Sequence, residues 1–214
     1  MDKEIKTPLA LIAAASDFLM VSDSHSHSIY QVCINNNGAF LNGTVSLLLK
    51  LPEGGQPMAL AFDGNIVYVA DSSNNGGITK FNPSTSESQV IVRNGTRFCH
   101  TVHGLDVSSD GSVIFTDRTS RVVRRFSQAK SDFRVIAGFG ADKSRDGSSL
   151  AASFSQPTTL CVEGKSIFVE DAAVGALKLI LTPTNSLCKI LELLHSLCRM
   201  FGVHLREVKK STQC

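Results

Sequence analysis

Between Pro8 and Leu181, short apolar runs alternate with polar, glycine-bearing segments, and the same order of runs returns about every 48 residues. The clearest copy begins with Leu60-Ala61-Phe62, a short first strand, followed by Asp63-Gly64-Asn65. Glycine and asparagine tolerate positive φ, so this triplet predicts a hairpin turn. Ile66-Val67-Tyr68-Val69-Ala70 is β-branched and apolar throughout, as expected of a strand covered on both faces. Asp71 then opens a tight turn, its carboxylate able to accept from backbone N–H groups one to three residues on. Ile78-Thr79-Lys80-Phe81 predicts a third strand with a polar and an apolar side, and Val90-Ile91-Val92 a fourth.

Two further copies read His103-Gly104-Leu105 through Asp117 and Pro157-Thr158-Thr159 through Asp171. A fourth, degenerate copy runs from Pro8 to Asp23 with one extra residue. Asp23, Asp71, Asp117 and Asp171 recur at steps of 48, 46 and 54 residues. After each comes an apolar pair three apart: Ile29 and Val32, Ile78 and Phe81, Val123 and Phe126, Leu177 and Ile180. A repeated residue at a repeated place serves a repeated structural purpose, so the aspartates are read as turn formers, not as a calcium ring. Four short strands per period describe the blade of a β-propeller. The chain is therefore expected to be all-β, an incomplete arc of about four four-stranded blades over residues 1–181, with a helical tail over 182–214.

The tail has a different period. Leu187, Leu194, Phe201 and Val208 fall seven apart, with Ile190, Leu191, Leu197, Cys198 and Leu205 three and four residues after them. That three-in-seven pattern predicts an amphipathic α-helix packed on something. Thr182-Pro183 suits its start and Lys209-Lys210 its end. Leu194, Leu197 and Phe201 would then lie in a partner-binding or self-associating face, or cover one end of the arc.

Composition narrows the function classes. The 214 residues are 43% hydrophobic and 19% charged, which fits a folded domain, and a net charge of +2 gives no bulk case for nucleic acid or an anionic membrane. No run approaches the ~18 apolar residues of a membrane span, and the first residues lack the order of a signal peptide. A cytoplasmic protein with most of its six scattered cysteines reduced is the expectation. Asn42-Gly43-Thr44 and Asn94-Gly95-Thr96 match glycosylation acceptors, but Asn-Gly is also ordinary turn chemistry.

The segment Gly138-Phe139-Gly140, Arg145-Asp146-Gly147, Ala151-Ala152-Ser153-Phe154, Pro157, Phe168-Val169, Asp171 resembles the NHL repeat. The match is strong over 138–181, good over 57–81 and 103–126, and weak over 8–32. His103 stands where that repeat usually has proline, and Glu163-Gly164 replaces its Asp-Gly turn. NHL propellers resemble closed discs of about six blades, so four blades leave two sheet faces bare, and the chain is expected to be a fragment, a decayed copy or a protein completed by something else. The resemblance also implies candidate chemistries: peptide-amidating lyases with a histidine-bound metal, gluconolactonase-like enzymes with axial calcium, and RNA-binding discs.

His25 and His27 alternate on one extended segment, and His100 and His103 lie near Cys99, but nothing in the sequence makes three or four of them converge as zinc requires. No nucleophile elbow, phosphate loop or Cys–His dyad appears. Arg118, Arg121, Arg124 and Arg125, with Arg93 and Arg97 before them, form a basic cluster that single-stranded RNA could use if aromatics such as Phe98 were interleaved; Phe126, by its place in the repeat, should point inward. The reading that results is a non-enzymatic scaffold with no cofactor, working through protein partners; the alternatives are an RNA-binding propeller and a metal-dependent enzyme or its relic.

Overall fold

The computed structural model describes residues 5–15, 18–36, 41–96, 99–130, 132–148 and 150–181, so the helix expected over 182–214 lies outside it. Within these residues the elements are strands and one 3₁₀ turn, Ala172–Val174. Blade 1 comprises β1 (Pro8–Ala15), β2 (Phe18–Asp23), β3 (Ser28–Asn36) and β4 (Leu41–Lys50). Blade 2 comprises β5 (Pro57–Phe62), β6 (Val67–Asp71), β7 (Gly77–Asn82) and β8 (Glu87–Arg93). Blade 3 comprises β9 (Val102–Val107), β10 (Val113–Asp117), β11 (Val122–Ser127) and β12 (Asp132–Ala137). Blade 4 has three described strands, β13 (Pro157–Glu163), β14 (Ser166–Asp171) and β15 (Ala176–Leu181). Each sheet is an antiparallel meander in chain order. None of the described helices is long and apolar enough to cross a membrane.

The degenerate first copy pairs like the others. Pro8 faces Asp23 as Pro57 faces Asp71 and Pro157 faces Asp171, its extra residue absorbed in a bulge. The innermost strands pack in order, β1 on β5, β5 on β9 and β9 on β13, which sets the four sheets around one axis as propeller blades. No packing of comparable extent joins blade 4 to blade 1 among the described residues, so the blades form an arc.

The core lies in three seams between blades. Met20, Ile29, Leu60, Val67, Val69 and Phe81 fill the first. Tyr68, Ile78, Val102, Leu105, Val113 and Phe115 fill the second. Ile114, Val123, Phe154, Ile167 and Val169 fill the third. The strand periodicity explains this division, because successive side chains leave opposite faces. In β6, Val67 and Val69 point to blade 1 while Tyr68 points to blade 3, which is why β6 and β10 are buried along their whole length. The third strand differs from its expected polar-and-apolar sidedness. Residues three apart leave opposite faces, so Ile78 enters the seam with blade 3 and Phe81 the seam with blade 1. Val123 and Phe126 divide in the same way.

Polar side chains tie the seams. The Asn94 amide donates to the Asp71 and Ser73 carbonyls at 2.8 Å each, and its oxygen accepts from the Val102 N–H at 3.0 Å. Thr116 accepts from the Gly104 N–H and donates to the Thr158 carbonyl at 2.6 Å. Asp106 accepts from the Val162 N–H of blade 4 at 2.7 Å. Gly104 passes so close to Thr158 that a Cβ there would lie 2.3 Å from the Thr158 carbonyl oxygen. Only glycine fits that approach.

Candidate functional site

Each blade's aspartate closes the second strand onto the segment that precedes the first. Asp71 accepts from the Gln56 N–H at 2.8 Å and the Ser73 N–H at 2.9 Å. Asp171 accepts from Ser155 and Gln156, and Asp23 from Thr7 and Ser26. Asp117 accepts from His100, Thr101 and Ser120. The sequence predicted acceptance from the turn that follows. The reach to donors 15 to 17 residues earlier is additional, and Asp171 makes it to Ser155 and Gln156. All four carboxylates are buried and turned to protein donors. Burial pushes the Asp23 and Asp117 carboxyls up, but their hydrogen bonds, led by Ser26 and Ser120, outweigh it and hold both below the ordinary value.

The basic cluster is distributed over these same loops. Arg124 bonds Asp117 at 3.0 Å, lies 5.8 Å from the centroid of the Phe133 ring and is only 12% exposed at its side chain. Arg125 pairs with Asp110 across the hairpin, and Arg121, in the left-handed region at φ 58°, pairs with Asp142 at 2.7 Å. Arg118 is exposed beside the Gln156 side chain, and Arg93 is exposed at the end of β8. Phe126 packs against the second seam, pointing inward, whereas Arg97 and Phe98 lie outside the described residues. Leu194, Leu197 and Phe201 also lie outside them.

The histidines do not converge. His25 is exposed, and His27, at φ 54°, is held by the Gly55 carbonyl at 2.6 Å. His100 meets Ser120 at 2.7 Å, and that hydroxyl donates to Asp117 at 2.6 Å, so the serine stands between histidine and carboxylate. Cys99 is fully buried, and burial pushes its thiol up and away from the thiolate form. Among the described residues no three His, Cys, Asp or Glu side chains are grouped to hold a metal ion.

The concave feature that joins all four blades is an axial groove of about 530 Å³, lined by β1, β5, β9 and β13 and presenting Leu9, Leu11, Met58, Leu105 and Leu160 with Asp106 among them. Burial pushes the Asp106 carboxyl above its ordinary value. Next to blade 4's inner strand, Glu170 accepts from the Thr158 and Thr159 hydroxyls at 2.6 and 2.7 Å. Those bonds hold its carboxyl down. Burial pushes the His103 imidazole down, Arg118 adds to that and Glu170 opposes it. Sequence reasoning missed this groove, because its lining comes from one strand per blade and has no local motif.

No protein-family model matches the chain, and no curated protein matches it either. Solved structures do. A virginiamycin B lyase from Staphylococcus aureus superposes with a TM-score of 0.62 at 13% identity, over 85% of this chain and 54% of that one. The WD40 repeats of RRP9 give 0.56 at 12% identity, over 83% and 49%. A chain of the nidogen/laminin complex gives 0.54 at 14% identity, over 83% and 76%. The shared property is the propeller fold, and the chain spans about half the length of the lyase and the WD40 domain.

Proposed function

We propose that this chain is a non-enzymatic, cytosolic interaction module of the NHL type, whose axial groove receives an extended segment of a protein partner. The observation that carries the reading is the groove itself. It is open, largely aliphatic, and crosses the inner strand of every blade, each of which is an edge strand of its sheet. Such a surface suits main-chain pairing with apolar pockets for alternate side chains. The same NHL-like pattern that marks residues 138–181 supports the family reading through the repeated pairing of the blade's first residue with its aspartate. A lyase-like or RNA-binding role draws less support: the histidines are dispersed, and Arg121, Arg124 and Arg125 face carboxylates of their own chain.

The test is a displayed peptide library panned on the purified protein. Enriched peptides should lose at least tenfold in affinity against Met58→Arg and Thr159→Arg, which place a charge in the groove, the second also removing the Thr159 hydroxyl's bond to Glu170. Peptides that bind both variants like the parent would move the site elsewhere. A steeply salt-dependent affinity for single-stranded RNA, flattened by Arg118→Ala and Arg121→Ala, would replace the reading with an RNA-binding one.

A further inference from the structure

The carboxylate in the axial groove is out of step with the repeat. Three residues before each blade's aspartate stand Met20, Tyr68, Ile114 and Phe168, whose cross-strand partners are Ile12, Ala61, Asp106 and Cys161. These partners hold the same register position on the four innermost strands, and all of them line the groove. Only Asp106 among them is a carboxylate. A charge found in a single blade serves no repeated structural purpose, unlike the buried aspartates that occur in all four. Asp106 does tie two blades: one oxygen accepts from the Val162 N–H and the other from the Val107 N–H, at 2.7 Å each. A neutral acceptor would make such a tie as well, since Asn94 and Thr116 join neighbouring blades without a charge. Nor does the chain balance the charge. None of the ion pairs among the described residues involves Asp106, whereas Asp117 holds Arg124. Burial raises the Asp106 carboxyl, and Glu163, a charge of the same sign, raises it further.

We propose that Asp106 sets the specificity of the groove, selecting a partner segment that carries a lysine or arginine between aliphatic side chains. This rests on the groove being the seat of an extended segment, and adds the chemistry that such a segment must have. A carboxylate oxygen can accept more than one hydrogen bond, so each Asp106 oxygen, with one backbone donor, has room for a second. A basic side chain entering the groove lays its methylenes on Met58 and Leu160 and brings its charged head to that carboxylate. The wall there is half-buried, and a charge-assisted bond is stronger in such a setting than at an open surface. The other carboxylate beside the inner strands, Glu170, already accepts from two hydroxyls, and it is exposed. A metal ion is a poorer occupant, because among the described residues no three His, Cys, Asp or Glu side chains are grouped to hold one. The anionic backbone of a nucleic acid is repelled by the same carboxylate.

Pools of short blocked peptides test it, alike in their randomised aliphatic positions and differing at one central residue: lysine, arginine, norleucine or glutamate. Titrated by fluorescence anisotropy against the full chain, the basic pools should bind about tenfold more tightly than the norleucine pool, and the glutamate pool most weakly. Asp106→Asn should bring the basic pools level with norleucine, while Glu163→Gln and Glu170→Gln should keep the preference. Basic and norleucine pools that bind the parent alike, and are both lost with Met58→Arg, would overturn the role of Asp106 and leave the groove as the seat. Pools that bind Met58→Arg as they bind the parent would overturn the groove reading itself, and the role of Asp106 with it. A preference erased by Glu163→Gln or Glu170→Gln would assign the cation to that residue and overturn the proposal. If circular dichroism shows Asp106→Asn unfolded, the outcome rests on the parent and these two glutamine variants: a preference retained in all three supports Asp106, and one lost in either variant overturns it.

Discussion

Asp117 is fully buried with five donors around it: the backbone N–H groups of His100, Thr101 and Ser120, the Ser120 hydroxyl and the Arg124 guanidinium. Because these bonds hold its carboxyl below the ordinary value, the folded state keeps it ionised at a pH where the unfolded chain is already protonated. Its contribution is therefore fully present above the unfolded value of about 3.9 and is lost as pH falls through the lower folded value. Asp23 acts in the same direction. Replacing Asp117 with asparagine removes the charge and leaves Arg124 mostly buried without its partner. Urea unfolding at pH 7 should show a loss of about 3 kcal/mol. The gap between variant and parent should narrow at pH 3, and an equal gap at both pH values would mean that the charge is not what the site uses. Asp71 lacks an arginine among its recorded partners, so Asp71→Ala should cost less, about 1–2 kcal/mol.

Between elements, the seams depend on side chains that few local patterns announce. Asn94 satisfies the Val102 N–H and the Asp71 and Ser73 carbonyls at once, and is 9% exposed. Asn94→Ala should lower stability by about 2 kcal/mol through stranded buried groups, whereas Asn74→Ala, at an exposed turn, should stay within about 0.5 kcal/mol. Thermal melts of the two variants decide it. The blades themselves were legible in the sequence, because strand periodicity and the recurring aspartate are local and repeat. Leu60, Tyr68, Ile78 and Phe115 announce their burial by their neighbours alone. Asp110 as the partner of Arg125, Asp142 as the partner of Arg121, and the Asp106 bond to Val162 could not be read, since each depends on a spacing that occurs once. The groove was hidden for the same reason, as were the backward bonds of Asp171 to Ser155 and Gln156.

For the whole molecule, a row of blades in contact only with neighbours makes stability a sum of nearest-neighbour terms. Blades 2 and 3 have a packed seam on each side, while blades 1 and 4 have one within the described residues. Amides of β6 and β10 should therefore exchange slowest with solvent deuterium and those of β2 and β14 at least tenfold faster. Uniform protection across the four middle strands would show instead that the arc opens all at once.

The seam built on Asn94 also has a consequence for how the protein can be made. Asn94-Gly95-Thr96 remains a readable acceptor for sugar transfer, yet in the folded chain its amide nitrogen already donates to two carbonyls inside a buried joint. A transferase can reach it only before blade 3 has closed on blade 2. Routed through a glycosylating secretory pathway, folding and modification would compete for the same nitrogen. A glycan that arrived first would occupy the nitrogen that donates to the Asp71 and Ser73 carbonyls and keep the Asn94 side chain out of the joint that also holds the Val102 N–H. Synthesis in a compartment without the transferase removes the competition.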